Sequence, residues 1–292
     1  MSVPWKAGAT PGARTGSGTG HRLGRPLLYL VLIALAVIAV LPLLWALSGS
    51  FKTISEIFEI PPRIWPRHAT GSNYATVFSD IALPSWLWTS LWVAVVSTVL
   101  SVLFSTMGGY AFAKFDFPGK KILFDVMFSS MMIPMTVVVI PLFVEIAALG
   151  MGNSYLALIV PGLAPAFGVF MMRQFIVQSI PDQMLEVARV DGAGEIAIFL
   201  RIVLPLLRPA LGALIVWNFL ASYNNFLWPL IVLSDSGKFT LPLGLNSLSG
   251  AYTADYGVIL AGSLIASVPT IAVFVGLNKQ LIEGLTVGAL KG

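Results

Sequence analysis

The chain has 292 residues, 57% of them hydrophobic and only 10% charged, with a formal net charge of +4. Soluble domains carry about a quarter charged residues, so this balance excludes an ordinary water-soluble globule and points to an integral membrane protein. The lack of cysteine excludes disulfides, thiolate metal sites, a cysteine nucleophile and a lipidated cysteine.

Residues 1–25 are rich in Gly, Thr, Ala and Pro and carry Lys6, Arg14, Arg22 and Arg25, the composition of a disordered basic tail. Pro26–Leu47 follows without a charge. It is longer than the roughly 7–15 residue core of a secretory signal, so it reads as a retained first span. Further apolar stretches predict spans over Trp86–Thr106, Val126–Phe143, Tyr155–Met172, Leu211–Leu230 and Gly257–Leu277. The expected fold class is therefore an all-α integral membrane protein with six transmembrane helices, residues 26–292 forming one domain. The period-2 alternation of an outer-membrane barrel is absent.

Orientation follows from Lys and Arg. Placing the N-terminus in the cytoplasm also puts Lys114, Lys120, Lys121, Arg173, Arg189, Arg201, Arg208, Lys279 and Lys291 inside. Only Lys52, Arg63, Arg67 and Lys238 then remain outside. The positive-inside rule favours this arrangement, with both termini cytoplasmic.

One cytoplasmic stretch, about residues 179–208, is unusually charged: Asp182, Glu186, Arg189, Asp191, Glu195, Arg201 and Arg208. Ser179 can cap a helix, Pro181 suits its first turn, and Asp182 complements its N-terminal dipole. Asp182, Glu186 and Arg189 share one helical face. Gly192 permits a left-handed turn. Ile196, Phe199, Leu200 and Val203 then form an apolar stripe. The expectation is helix, turn, helix at the membrane surface. Residue spacing alone leaves two readings open, a solvated connector or a docking element.

The residues themselves add a resemblance. Glu186-x-Ala188, Gly192 six positions after Glu186, and Ile202-x-Leu204-Pro205 resemble the cytoplasmic "EAA" motif of ABC-importer permeases. Asp191-Gly192-Ala193, Phe199 and Pro209 are similar to the carbohydrate-uptake branch, the maltose-type inner permeases, although Val187 stands where that family usually has Ala. "YAFAKFDFPGKK" (Tyr110–Lys121), "YNNFLWPLIVL" (Tyr223–Leu233), "LAGSLIASVPTIAVF" (Leu260–Phe274) and "EGLTVGALKG" (Glu283–Gly292) resemble further family segments, so the likeness covers about residues 26–292. In the third stretch Tyr223 and Asn225 replace the family's Trp and Glu.

This resemblance implies a type I ABC importer permease in the prokaryotic plasma (inner) membrane. It implies a second homologous permease, an ATPase dimer holding ATP and Mg, and an extracellular or periplasmic sugar-binding protein as partners, with surrounding membrane lipid. Glu186, Ala188, Asp191, Gly192 and Ala193 would form the coupling helix and its turn against the ATPase. The chain itself is expected to be non-catalytic and to bind no cofactor or metal. It has no G-x-x-x-x-G-K-[ST] motif and only His21 and His68. Nothing in it reads as a nucleic-acid binder.

Asn218, Tyr223, Asn224 and Asn225 place amides and an aromatic ring in or near the fifth span, which suits a neutral polyhydroxyl ligand. Interhelical hydrogen bonding is the alternative role. Asp125 and Glu145 bracket the third span and read as boundary residues that snorkel. The external loop Ser234–Tyr256 is a candidate contact for the binding protein, with Ser247–Asp255 probing toward the ligand. The C-terminal tail, residues 279–292, is expected to be ordered only against the ATPase, because Gly284, Gly288 and Gly292 weaken an isolated helix. Two other classes make different demands on the sequence. A stand-alone ion-coupled transporter predicts internal repeats and buried ionisable groups at mid-membrane. An intramembrane enzyme needs clustered carboxylates or histidines.

Overall fold

A computed structural model describes residues 20–248 and 255–287, and within these every regular element is helical. The chain divides into two units, Met1–Ala46 and Leu47–Gly292. The described part of the first unit belongs to α1 (Gly20–Ser50), which begins before the Pro26 boundary expected from composition. Its side chains from Leu27 to Leu44 are exposed, as a helix solvated by lipid requires.

In the second unit, α2 (Ile54–Ile57) and α3 (Ser72–Ser79) are short. They lead into α4 (Leu83–Lys114), a continuous 32-residue helix. Next come α5 (Lys120–Ser130), α6 (Met135–Ala148), α7 (Tyr155–Ile159), α8 (Ala166–Ser179), α9 (Asp182–Val190) and α10 (Glu195–Ile198). A π-helical turn, Phe199–Val203, runs into α11 (Leu204–Leu206) and α12 (Arg208–Tyr223). The chain closes with α13 (Leu227–Val232), α14 (Leu241–Leu248) and α15 (Tyr256–Val287).

Among the described residues four segments are long and apolar enough to cross a membrane: Pro26–Ser50, Leu83–Lys114, Tyr155–Ser179 and Tyr256–Gln280. The expected third and fifth spans are not straight helices. Lys120–Ser130 and Met135–Ala148 meet at 109°, and Glu195–Leu206 meets Arg208–Tyr223 at 82°, so six crossings result only if each bent pair counts as one. The first bend falls at Pro134, the N-cap of α6, where proline cannot continue a helix. It leaves Asp125 within α5 rather than at the edge of a continuous span. The predicted Leu211–Leu230 span is likewise interrupted, because α12 stops at Tyr223 and α13 starts at Leu227.

The buried face of α4 explains why its sequence shows no amphipathic stripe. Ser97, Ser101, Ser105 and Gly109 recur every fourth residue and are buried, while Val95, Val99 and Leu103 point outward. Without water, small residues inside and apolar residues outside let helices approach closely. α8 and α12 both pack on α4, and α15 packs on α12. At Gly109 the neighbouring backbone itself comes close. A Cβ placed there would lie 2.8 Å from the Arg173 amide nitrogen and 2.8 Å from the Met172 Cβ.

The C-terminal helix reaches into the glycine-containing tail. α15 continues through Gly284 to Val287, although residues 288–292 lie outside the described part. A helix already nucleated over many turns propagates at little cost, so one glycine does not stop it. Residues 249–254 of the expected Ser247–Asp255 probe also lie outside the described part.

Candidate functional site

Two features stand out, a surface hairpin and a half-open cavity lined in part by amides and hydroxyls. The hairpin joins α9 to α10 as the sequence predicts. Gly192 adopts φ +82°, its N–H donates to Arg189 O at 3.0 Å, and the Ala193 N–H donates to Ala188 O at 3.0 Å. This pair of bonds is a Schellman closure, which needs a left-handed residue after the helix. Ser179 does not cap α9. It is the last residue of α8, and Pro181 holds the N-cap position.

Three of the seven charges of the patch, Asp182, Arg189 and Glu195, are paired within the chain. Lys114, at the end of α4, donates to Ile180 O and to Asp182 Oδ1, each at 2.6 Å. The bond from Lys114, then its charge, holds the Asp182 carboxyl below the usual carboxylate range. Across the turn Arg189 Nε donates to Glu195 Oε1 at 2.6 Å, which raises the guanidinium's affinity for its proton. Tyr110 Oη donates to Glu195 Oε2 at 3.2 Å. Both arms of the hairpin are thus tied to the end of α4. Sequence reading missed Lys114 and Tyr110 in this role, although both lie in the Tyr110–Lys121 stretch.

Beneath the hairpin, Leu185, Ile198, Val203 and Leu207 are buried with Met172 and Ile176. The expected Ile196–Phe199–Leu200–Val203 stripe does not form. Ile196 is 78% exposed and Leu200 54%, whereas Ile198 and Val203, five apart, are fully buried. The π-helical turn lengthens the period and rotates the buried face. What remains on the outer surface is Met184, Glu186, Val187, Val190, Asp191 and Ile196. Ala188 and Ala193 are partly buried against the core below. Among the described residues Glu186 and Asp191 take part in no ion pair.

The half-open cavity, about 220 Å³, lies between α4, α7 and α12. Ser97, Ser101, Trp217, Asn218, Ser222 and Asn225 face it, with no ionisable side chain among its lining residues. Ser97 Oγ, Ser101 Oγ and Asn218 Nδ2 are buried and make no hydrogen bond within the protein. Helical hydroxyls ordinarily bond the preceding turn, as Thr106 does to Val102 O at 2.6 Å. Asn218 and Asn225, both singled out from sequence, are therefore brought together. Tyr223 and Asn224 stand apart from the cavity lining. Buried Tyr223 donates to Ala266 O at 3.0 Å, and exposed Asn224 donates to Leu220 O at 3.1 Å. Ser97 and Ser101 carried no signal beyond a four-residue spacing.

Comparison with known proteins identifies the architecture. Residues 105–281 match the family described as "Binding-protein-dependent transport system inner membrane component". The chain belongs to this family. This permease is 39% identical over 261 residues to the arabinooligosaccharides transport system permease protein AraQ of Halalkalibacterium halodurans, covering 88% of this chain and 93% of the relative. It is 33% identical to the lactose transport system permease protein LacG of Rhizobium radiobacter, covering 90% and 95%. Its fold matches that of a bacterial ABC transporter involved in the import of the acidic polysaccharide alginate, with TM-score 0.80, 21% identity, and coverage of 92% of this chain and 99% of that one. The permease is thus a multi-pass plasma-membrane protein of the carbohydrate-uptake ABC type.

Proposed function

We propose that this permease is one of two membrane subunits of an ATP-driven importer, passing a sugar or oligosaccharide delivered by an extracellular binding protein. The hairpin carries this reading. Its exposed apolar tip, Met184, Val187, Val190 and Ile196, surrounds two carboxylates, Glu186 and Asp191, outside the ion pairs of the described residues, and is braced from below by Lys114 and Tyr110. A solvated connector has no use for such bracing. A handle that transmits force from a separate ATPase, the holder of ATP and Mg, requires it. A structural neighbour, a bacterial alginate ABC transporter in complex with an alginate pentasaccharide-bound periplasmic protein, supports the external partner. The coupling assignment of Glu186, Ala188, Asp191, Gly192 and Ala193 rests on this bracing and on the family.

An ion-coupled transporter acting alone is less well supported. Among the described residues the buried charged side chains Lys52, between α1 and α2, and Lys114, the last residue of α4, both lie away from the middle of a span. Orientation remains part of the proposal, with six crossings and both termini in the cytoplasm. Single cysteines in this cysteine-free chain test it. Ser72→Cys should label from outside and Asp116→Cys from inside, and the reverse pattern would refute the topology. Asp116 is preferable to Gly119, whose φ of +80° would strain a cysteine.

The cavity supplies this subunit's share of the pathway. Ser97, Ser101 and Asn218 bring three side chains with an unpartnered polar atom to one wall; each such atom costs about 1–3 kcal/mol, which a hydroxylated cargo met by small side-chain rotations would recover in transit. Because no charged side chain lines it, a neutral sugar fits better than an acidic one. Ser101→Ala and Asn218→Leu should each raise the cargo concentration for half-maximal ATPase stimulation by about 3–10-fold, the value of one or two hydrogen bonds. Basal hydrolysis should hold, and Asn224→Leu should behave as wild type. Equal losses of basal and stimulated rates would assign these residues to packing instead.

A further inference from the structure

Where α4 ends and α5 begins, the fold leaves an open pocket of about 730 Å³. Its wall is aromatic: the Phe112 ring lies 5.5 Å from Phe124 and 5.8 Å from Phe117. Two of its charges are closed on each other, Lys120 Nζ standing 3.1 Å from Asp116 Oδ1. The others are open. Arg173, partly buried on α8, lays its guanidinium 4.4 Å from the centre of the Phe124 ring. Among the described residues Arg173, Lys121 and Asp125 make no ion pair. Two cations against one carboxylate leave the pocket with a single net positive charge.

A second groove, about 460 Å³, adjoins the pocket along α5 and shares Ile122 and Asp125 with it. Its other walls include Val126, Ser129 and Ile133. Ile122 is 69% exposed and Val126 64%, so α5 presents an apolar face directly beside the cations. A basic pocket opening onto an apolar groove beside a spanning helix matches one kind of molecule in both chemistry and shape. The head must carry one negative charge, and the tail must be aliphatic.

We propose that this pocket is a binding site for a monoanionic glycerophospholipid of the cytoplasmic leaflet. The phosphodiester accepts hydrogen bonds from Lys121 and Arg173, and an acyl chain follows Ile122 and Val126 along α5. Phe124 holds the Arg173 guanidinium in place, since a cation over a ring face keeps its outer N–H groups free to donate. Asp125 at the shared mouth repels more highly charged headgroups. The inference rests on the orientation proposed above, which the cysteine labelling tests separately.

The test is native mass spectrometry of the full chain, with whatever subunits copurify, after delipidation and addition of phosphatidylglycerol, phosphatidylethanolamine or phosphatidylcholine of matched acyl chains. Phosphatidylglycerol should be retained preferentially, and excess inorganic phosphate should not displace it. Lys121→Ala combined with Arg173→Gln should lower its retention by about tenfold or more, as two juxtamembrane basic groups predict. Lys121→Ala alone changes an exposed side chain and should give a smaller drop in an intact fold. Asp125→Asn should raise retention, a gain that misfolding cannot mimic. Retention that ignores headgroup charge, or that is unchanged by all three substitutions, would overturn the proposal. An Ile122→Cys variant that crosslinks quantitatively to a copurifying permease would also overturn it, because a protein would then fill the groove.

Discussion

Gly109→Leu is expected to prevent this permease from accumulating as a folded protein, and Gly109→Ala to destabilise it measurably. A Cβ at this position meets backbone as well as side chain: the Arg173 amide nitrogen and Met172 Cβ at 2.8 Å, and the Met172 carbonyl carbon at 3.1 Å. None of these is the far end of a flexible side chain. α4 and α8 would have to separate, and overpacking of this kind costs about 1–3 kcal/mol for modest insertions and more when backbone must shift. The damage should reach the hairpin, because Tyr110 and Lys114 sit on the same helix and hold it. Size-exclusion chromatography after a heat ramp in detergent reads the effect. Gly276→Ala provides the contrast. Nothing lies within 4 Å of the added carbon, and alanine favours a helix over glycine by about 1 kcal/mol. A Gly109→Ala protein that melts like wild type would refute the close approach of α4 and α8.

The second large effect concerns the turn. Gly192→Val should insert and melt nearly as wild type yet lose ATPase retention and sugar-coupled hydrolysis by about tenfold or more. A β-branched residue at φ +82° costs about 1–3 kcal/mol, and the chain escapes by re-aiming α10 and breaking the Schellman closure. Gly192→Asn should recover much of the loss, since asparagine tolerates the left-handed region. Glu186→Lys addresses the contact itself. Its carboxylate is exposed and outside every ion pair described in this chain, so reversal should leave folding untouched. If it meets a basic group in a desolvated ATPase cleft, breaking that pair costs about 3–5 kcal/mol, against 0–1 for an exposed one. Wild-type transport by Glu186→Lys with normal ATPase retention would refute the handle.

Much of this protein was legible before any fold was known, for a reason specific to lipid. Spans announce themselves by length and lack of charge, because the bilayer forces every backbone group into local hydrogen bonds. Gly192 was legible because positive φ singles out one residue type and the charged flanks fix its context. What the sequence could not give is the inward face. In water a core betrays itself by hydrophobicity, but here both faces of α4 are apolar or small, so Ser97, Ser101, Ser105 and Gly109 look no different from a lipid-facing run until α8 and α12 pack on them.

By itself, then, the sequence determined the helical class, the spans to within their breaks, and the charged hairpin with its left-handed turn, all properties of local chain chemistry. Tertiary structure alone decided that Lys114 and Tyr110 brace the hairpin, and that the π-helical turn buries Ile198 and Val203 while exposing Ile196 and Leu200. It also placed Asn218 and Asn225 on a cavity shared with α4 while withdrawing Tyr223 to Ala266. Each of these depends on contacts between residues distant in the chain, or on one extra residue in a helical turn. Neither leaves a periodic mark in the sequence.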